Sequence, residues 1–470
     1  MTVSDAGKEK SYMTNDMTKG SPVKLILAFM IPTYLGNIFQ QFYNLVDSIV
    51  AGRYIGVNAL AAIGSTTSLI FLVIGWLNGI TSGFSIRVAQ SFGAKDFKRM
   101  RHFVAMSVLL CLAFVVVMTL GLLVLNYPIL RMMNVPADII DDTAAYMAII
   151  YAGLFVTAAY NAFAAVLRAL GDSKSPLYFL IASALINVVL DVVFIVVFHM
   201  GVEGCAYATV IAQGVSAVLC LVYIKKKFEI LKLGREDFYR DFTTMGQLLS
   251  MGVPMGLQFS ITAIGTIIVQ GAINVFGAVY IAGFSAAGKI QNLVTSVFIA
   301  FGATIATYVG QNRGAGKVER IRQGIHCTQV MILVGSAVMF LIIHFLGGPL
   351  TYIFVDSSQT EVIAAAKQYF TTVAWCYPFL GSIFLYRNAL QGMGYGFVPM
   401  MGGVFELIAR SVVVALVARA GWGFVGTCAA DPAAWIAALI PIVPYYFYMM
   451  HKILPKTAGT SESTLQMKKM

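Results

Sequence analysis

The sequence predicts an all-α polytopic membrane protein: about twelve transmembrane helices in two six-helix, pseudo-symmetric bundles. Three observations predict it. Apolar types fill 59% of the 470 residues and charged types only 11%, against about 45–50% and about 25% in soluble domains. The mean hydropathy is +0.81, more apolar surface than a soluble chain of this length can hide. The chain also divides into apolar runs of membrane-crossing length, and its second half repeats its first. A soluble enzyme, a disordered scaffold, a coiled coil and a nucleic-acid binder are all poor fits.

A helix rises about 1.5 Å per residue, so about 20 apolar residues cross about 30 Å of hydrocarbon. Residues 1–22 are polar, with Lys8, Lys10 and Lys19. They predict a cytoplasmic tail, because the apolar run that follows is too long for a signal peptide and lacks a small-residue cleavage site. Spans are expected near 24–50, 57–85, 102–126, 141–168, 176–199, 203–225, 244–275, 279–310, 322–346, 361–390, 398–420 and 424–450. These define an N-terminal lobe at 23–228, a cytoplasmic linker at 229–242, a C-terminal lobe at 243–450 and a cytoplasmic tail at 451–470. The runs are continuous rather than alternating, which argues against barrel strands.

Orientation follows from the 32 Lys and Arg. With both termini inside, Arg53, Arg131 and Arg419 lie outside, and Arg87, Lys289, Lys367 and Arg410 lie within spans. All the others, Arg387 among them, gather on the inner side, which is the expected bias for cytoplasmic termini at the cell inner (plasma) membrane. That placement accounts for the net charge of +11 with no nucleic acid as partner.

The repeat is clearest outside the apolar runs. Residues 89–101 read AQSFGAKDFKRMR and residues 310–322 read GQNRGAGKVERIR. At an offset of 221, Gln90/Gln311, Gly93/Gly314, Ala94/Ala315, Arg99/Arg320 and Arg101/Arg322 coincide. Pro32 and Pro254 hold matching places in spans 1 and 7, as Pro176 and Pro399 do in spans 5 and 11. Six spans per half is an even number, so both copies share one orientation and their axis runs along the membrane normal. Two such bundles around a midplane cavity describe an alternating-access transporter.

Gly314-Ala-Gly316-Lys317 is not a phosphate-binding loop, since Gln311 and Val318 stand where that motif needs glycine and a hydroxyl residue. No enzyme motif and no cofactor is expected. Gly75, Gly79 and Gly83 form a small-residue ladder that predicts close helix packing.

Several motifs carry a family likeness: the paired Gln-x-x-Gly-Ala loops, Tyr43-Asn44-Leu45-Val46-Asp47, Arg168-Ala-Leu-Gly-Asp-Ser-Lys-Ser-Pro176 and Leu185-Ile-Asn-Val-Val-Leu-Asp191. With the 6+6 spans they resemble the multidrug and toxin extrusion (MATE) family over roughly residues 20–450, with most likeness to its DinF/MepA-like branch. The resemblance implies a MATE-like fold and a secondary antiporter that exchanges H⁺ or Na⁺ for organic, often cationic, compounds. The NorM-like branch has a carboxylate in span 7. Residues 244–275 have none, only the amides Gln247, Gln258 and Gln270.

Ionisable groups inside the bilayer need a reason, since each costs about 2.5–3.5 kcal/mol to insert. The N-terminal half offers Asp47 and Asp191, with Asn187 one turn before Asp191 on the same face. The family pattern adds Thr209. These four form the expected coupling-ion site. Its carboxylates suit reversible protonation, and the same oxygens with Asn and Thr suit a bare Na⁺. In the C-terminal half, Glu406 and Arg410 are spaced to pair on one helix. Glu406, Arg410, Tyr43 and Asp431 are the candidates for substrate contact or gating, and Pro32 for a hinge in span 1.

The resulting expectation is a monomeric, bilayer-embedded efflux transporter that moves small organic compounds by alternating access. The alternative is a flippase for lipids or lipid-linked precursors. It needs several deep cations, and beside Arg410 the C-terminal half offers Lys289 alone.

Overall fold

In hydrocarbon a backbone must satisfy its own polar groups, so each apolar run is driven to helix. The computed structural model describes residues 16–466, apart from the side chains of residues 43–45, 47, 48, 57, 60 and 454–466. The first half holds α1 (Pro22–Tyr54), α2 (Val57–Gly93), α3 (Phe97–Val124), the short α4 (Asn126–Met132), α5 (Ile140–Ala152), α6 (Leu154–Ala169), α7 (Lys174–Val192) and α8 (Val202–Lys227). The second half holds α9 (Phe242–Asn274), α10 (Ala278–Gly314), α11 (Val318–Thr351), α12 (Thr360–Val373), α13 (Tyr377–Gly392), α14 (Phe397–Ala420), the short α15 (Gly423–Cys428) and α16 (Ala430–Gln466).

Among the described residues, ten helices are long and apolar enough to cross a membrane. Three of the twelve expected spans are not single helices, the twelfth being α15 and α16, interrupted at Ala429. The fourth is α5 and α6, bent by 45° at Gly153; taken as one broken span, the pair brings the number to eleven. The tenth is α12 and α13, parted by a 3-10 turn at Ala374–Cys376. Pro378, in the first turn of α13, has no N–H to give and crowds the residue before it, so a helix arriving from α12 must break there. Pro32 and Pro254, in contrast, sit inside α1 and α9 without ending them.

The repeat holds in three dimensions. α1 and α9 are both 33 residues long, and α2 and α10 both 37. Gly56 and Gly277 precede the second member of each half in left-handed backbone, and Lys95 and Gly316 follow it in the same way.

The glycine ladder of α2 meets α9 across the two halves. A Cβ on Gly79 would stand 2.6 Å from the Cα of Gly256, and one on Gly83 2.6 Å from the Cα of Gly252. Further along, the paired loops close on each other. Gly93 lies against the carbonyl of Gln311, and Gly314 against that of Gln90. Gln90 Nε2 donates to the Gly392 carbonyl and Gln311 Nε2 to the Ala169 carbonyl, each at 2.9 Å. Each repeated glutamine thus bonds the opposite half at its basic end.

The residues before α1 join this closure. The Met17 N–H donates to Gln311 Oε1 at 2.9 Å. The Met17 carbonyl accepts from Asn312 at 3.1 Å and from Arg320 at 3.2 Å. Lys317 Nζ donates to the Thr18 carbonyl at 2.8 Å. Met17, Ile26 and Phe29 lie in the apolar core of the second half, so the start of α1 is anchored across the molecule. Gln311→Ala orphans a buried N–H and a buried carbonyl, each worth about 1–3 kcal/mol. This variant is expected to label faster than wild type at a cysteine placed at the buried Ala169; equal labelling would deny the glutamine a closing role.

The linker is ordered rather than loose. Asp237 is buried against Arg101 at 3.4 Å, and its carbonyl meets His102 Nδ1 at 2.9 Å. Asp241 caps α9, and hydrogen bonds from the Thr244 hydroxyl and the Thr243 N–H hold its carboxyl below the usual range.

Candidate functional site

The first half places Asn187 and Asp191 one turn apart on α7, both fully buried. α7 packs against α8, which carries the half-buried Thr209, and against α1, which carries Asp47. The three helices bearing the expected coupling-ion residues therefore adjoin. The side chains of Asp47 and Tyr43 lie outside the described residues. Asp191 stands one residue before the end of α7, where the helix opens into a π turn at Val193–Val197. Such turns break the regular ladder and occur often at functional sites.

The second half builds a larger polar cluster than the sequence suggests. The Glu406–Arg410 pair forms as expected, at 3.4 Å. Arg410 Nε also donates to Asp431 Oδ1 at 3.1 Å, and Tyr369 OH reaches Asp431 Oδ2 at 3.4 Å. On its other side Glu406 faces Arg387 at 3.6 Å. α12, α13, α14 and α16 thus converge on two cations and two carboxylates whose charges cancel. One turn from Arg387, Gln391 Nε2 donates to Gln258 Oε1 at 3.0 Å, so one amide of span 7 belongs to this cluster. Gln270 instead bonds Asn274 on its own helix.

Arg387 corrects the sequence reading, which grouped it with the inner-side loops. It is buried inside α13, five residues before the helix ends. Near the end of an apolar run, an arginine that anchors at the surface and one that turns inward look alike. Its partner Glu406 is on another helix, beyond the reach of local spacing. Arg387 is therefore the deep cation beside Arg410, whereas Lys289 is exposed. Its ammonium sits 5.1 Å from the Phe354 ring centroid. Tyr369 carried no sequence signal, since a tyrosine in an apolar run reads as packing.

Together these features define a polytopic helical membrane protein of two repeated halves, closed together at one end, with ionisable groups buried in each half. The MatE family model matches residues 32–193 and again residues 254–416; the chain belongs to this family of multidrug efflux transporters. It is similar to the probable multidrug resistance proteins YpnP and YoeA of Bacillus subtilis. The first is 28% identical, covering 81% of this chain and 84% of YpnP; the second is 27% identical, covering 94% and 97%. A Shewanella oneidensis protein named a FAD transporter is 22% identical, covering 94% of this chain and 97% of its own. Among solved structures, an outward-facing MATE multidrug resistance transporter superposes with a TM-score of 0.88 at 20% identity, over 95% of this chain and 99% of that one. A MOP superfamily transporter from Pyrococcus furiosus gives 0.87 at 20% identity, over 95% and 99%. The flippase alternative gains no support from these relatives.

Proposed function

We propose that the protein exports small organic compounds, cationic ones in particular, in exchange for H⁺ or Na⁺. It does so by alternating access, as a monomer in the cell inner membrane with both termini cytoplasmic. The observation that carries this reading is the fully buried Asp191–Asn187 pair on α7. Burial makes the charged form of such a carboxylate costly, which favours a proton, a metal cation or a cationic compound at it. Ion and substrate can then exclude each other, which is the requirement for exchange. Asp47, Asn187, Asp191 and Thr209 are the coupling-ion residues on this reading. Tyr43, Glu406, Arg410 and Asp431 serve substrate contact or gating, and Pro32 lets α1 tilt between states.

The names of the Bacillus relatives support export of drug-like compounds. The closed basic end, placed inward by the positive-inside rule, supports a state whose access is from outside.

The test is reconstitution in liposomes with a fluorescent organic cation and separately imposed pH and Na⁺ gradients. One pH unit sustains about tenfold accumulation per exchanged proton, since it is worth about 1.4 kcal/mol. Asp191→Asn is expected to abolish accumulation under whichever gradient drives the wild type. If neither gradient moves any cation in wild type, the exchange reading is lost. If Asp191→Asn accumulates normally, the coupling ion lies elsewhere.

A further inference from the structure

Arg387 is a buried cation poorly matched by its surroundings. A guanidinium offers five N–H donors in a rigid plane. Among the described residues Arg387 donates no hydrogen bond: its Nε is buried without a partner, and Glu406 stands off at 3.6 Å. The Phe384 ring covers one face, with Cζ 4.8 Å from the centroid. Arg410 differs, since it bonds both Asp431 and Glu406. Glu406 turns Oε2 to Arg410 and Oε1 to Arg387 Nη1, the latter at 3.6 Å without a hydrogen bond, so it is the Nε edge of Arg387 that is left to something else. Removing a guanidinium from water is costly unless acceptors take its N–H groups. The group that fits this fork with two parallel bonds is an oxyanion.

We propose that Arg387 is a recognition site for an oxyanion, the carboxylate or phosphate of a small organic compound, bound at its donor edge while Glu406 remains with Arg410. The bound anion leaves the cluster one negative charge in excess, so compounds that also carry a cationic group fit it best. The site adjoins the closure between the halves. Gln391, one turn on, holds Gln258, and the neighbouring Gly392 carbonyl accepts from Gln90. The inference goes beyond export of cations and rests on that reading only for the transport step.

The test measures binding and needs no gradient. A rhodamine carboxylic acid and its methyl ester share one fluorophore and differ by the oxyanion. Their affinities for the purified full-length protein are read by fluorescence polarisation. Wild type is expected to prefer the acid by about tenfold, about 1.4 kcal/mol. Arg387→Gln is expected to bring the ratio near one, and Arg387→Lys to keep part of the preference. The double variant Arg387→Gln/Glu406→Gln removes both charges together. It is expected to lose the preference while the net charge of the cluster stays unchanged.

Competition then identifies the anion: displacement of the acid by benzoate marks a carboxylate site, and displacement by phenyl phosphate a phosphate site. The proposal is overturned if neither displaces it, or if the acid preference survives in both glutamine variants. A transport assay in which neither gradient moves the ester defeats the exporter reading and leaves this binding result standing.

Discussion

Arg410→Gln is expected to destabilise the protein by about 3–5 kcal/mol, the usual cost of stripping one partner from a buried ion pair. The reason lies in who is left behind. Arg410 meets Asp431 at 3.1 Å and Glu406 at 3.4 Å. Without it Glu406 keeps Arg387 at 3.6 Å, but among the described residues Asp431 keeps only the Tyr369 hydroxyl at 3.4 Å. The orphan is therefore Asp431. It follows that Arg410→Gln/Asp431→Asn should recover most of the loss, and Arg410→Gln/Glu406→Gln much less. Thermal unfolding in detergent, compared across the cycle, checks this. A loss below about 1 kcal/mol for the single variant, in the range of exposed pairs, would mean that water already screens the cluster.

The second large effect is expected at Gly314. A Cβ there would strike the Gln90 carbonyl and stand 3.0 Å from the Ala94 nitrogen. Both obstacles are backbone, so no flexible side chain can yield. Overpacking of this kind costs about 1–3 kcal/mol, and here the cost falls only on the state in which the halves meet at the basic end. Gly314→Ala is therefore expected to shift the population away from that state by about 5–150-fold. Gly93→Ala should act in the same direction, since it meets the Gln311 carbonyl. Accessibility of a cysteine placed at Ala169, beside the closure, should rise while gradient-driven transport falls. Wild-type accessibility and transport in Gly314→Ala would show that this contact is not held during the cycle.

The glycine, glutamine and charge positions differ in how far the sequence reveals them. Gly93 and Gly314 are visible as a repeat because identical loops recur at an offset of 221. That these loops close on each other is not visible, since a repeat says that two places are alike and not that they touch. The ladder at Gly75, Gly79 and Gly83 announces close packing through its spacing alone. Its partners Gly252 and Gly256 depend on which helix faces it. Glu406 and Arg410 are legible as a pair because one helix sets their separation. Asp431 and Arg387 enter only when two other helices are folded against that pair.

By itself, then, the sequence determined the helical class, most of the crossings, the two-fold repeat and the intrahelical pair. These are fixed by hydrocarbon thickness, backbone self-satisfaction and helical period, all of which act on neighbouring residues. Tertiary structure alone decided the breaks at Gly153 and at Ala374–Cys376, the inward turn of Arg387, the four-charge cluster and the crossing of Gln90 and Gln311 to the opposite half. Each depends on which helix lies beside which, and in a membrane that choice is made by close packing and polar matching between surfaces that hydropathy does not distinguish.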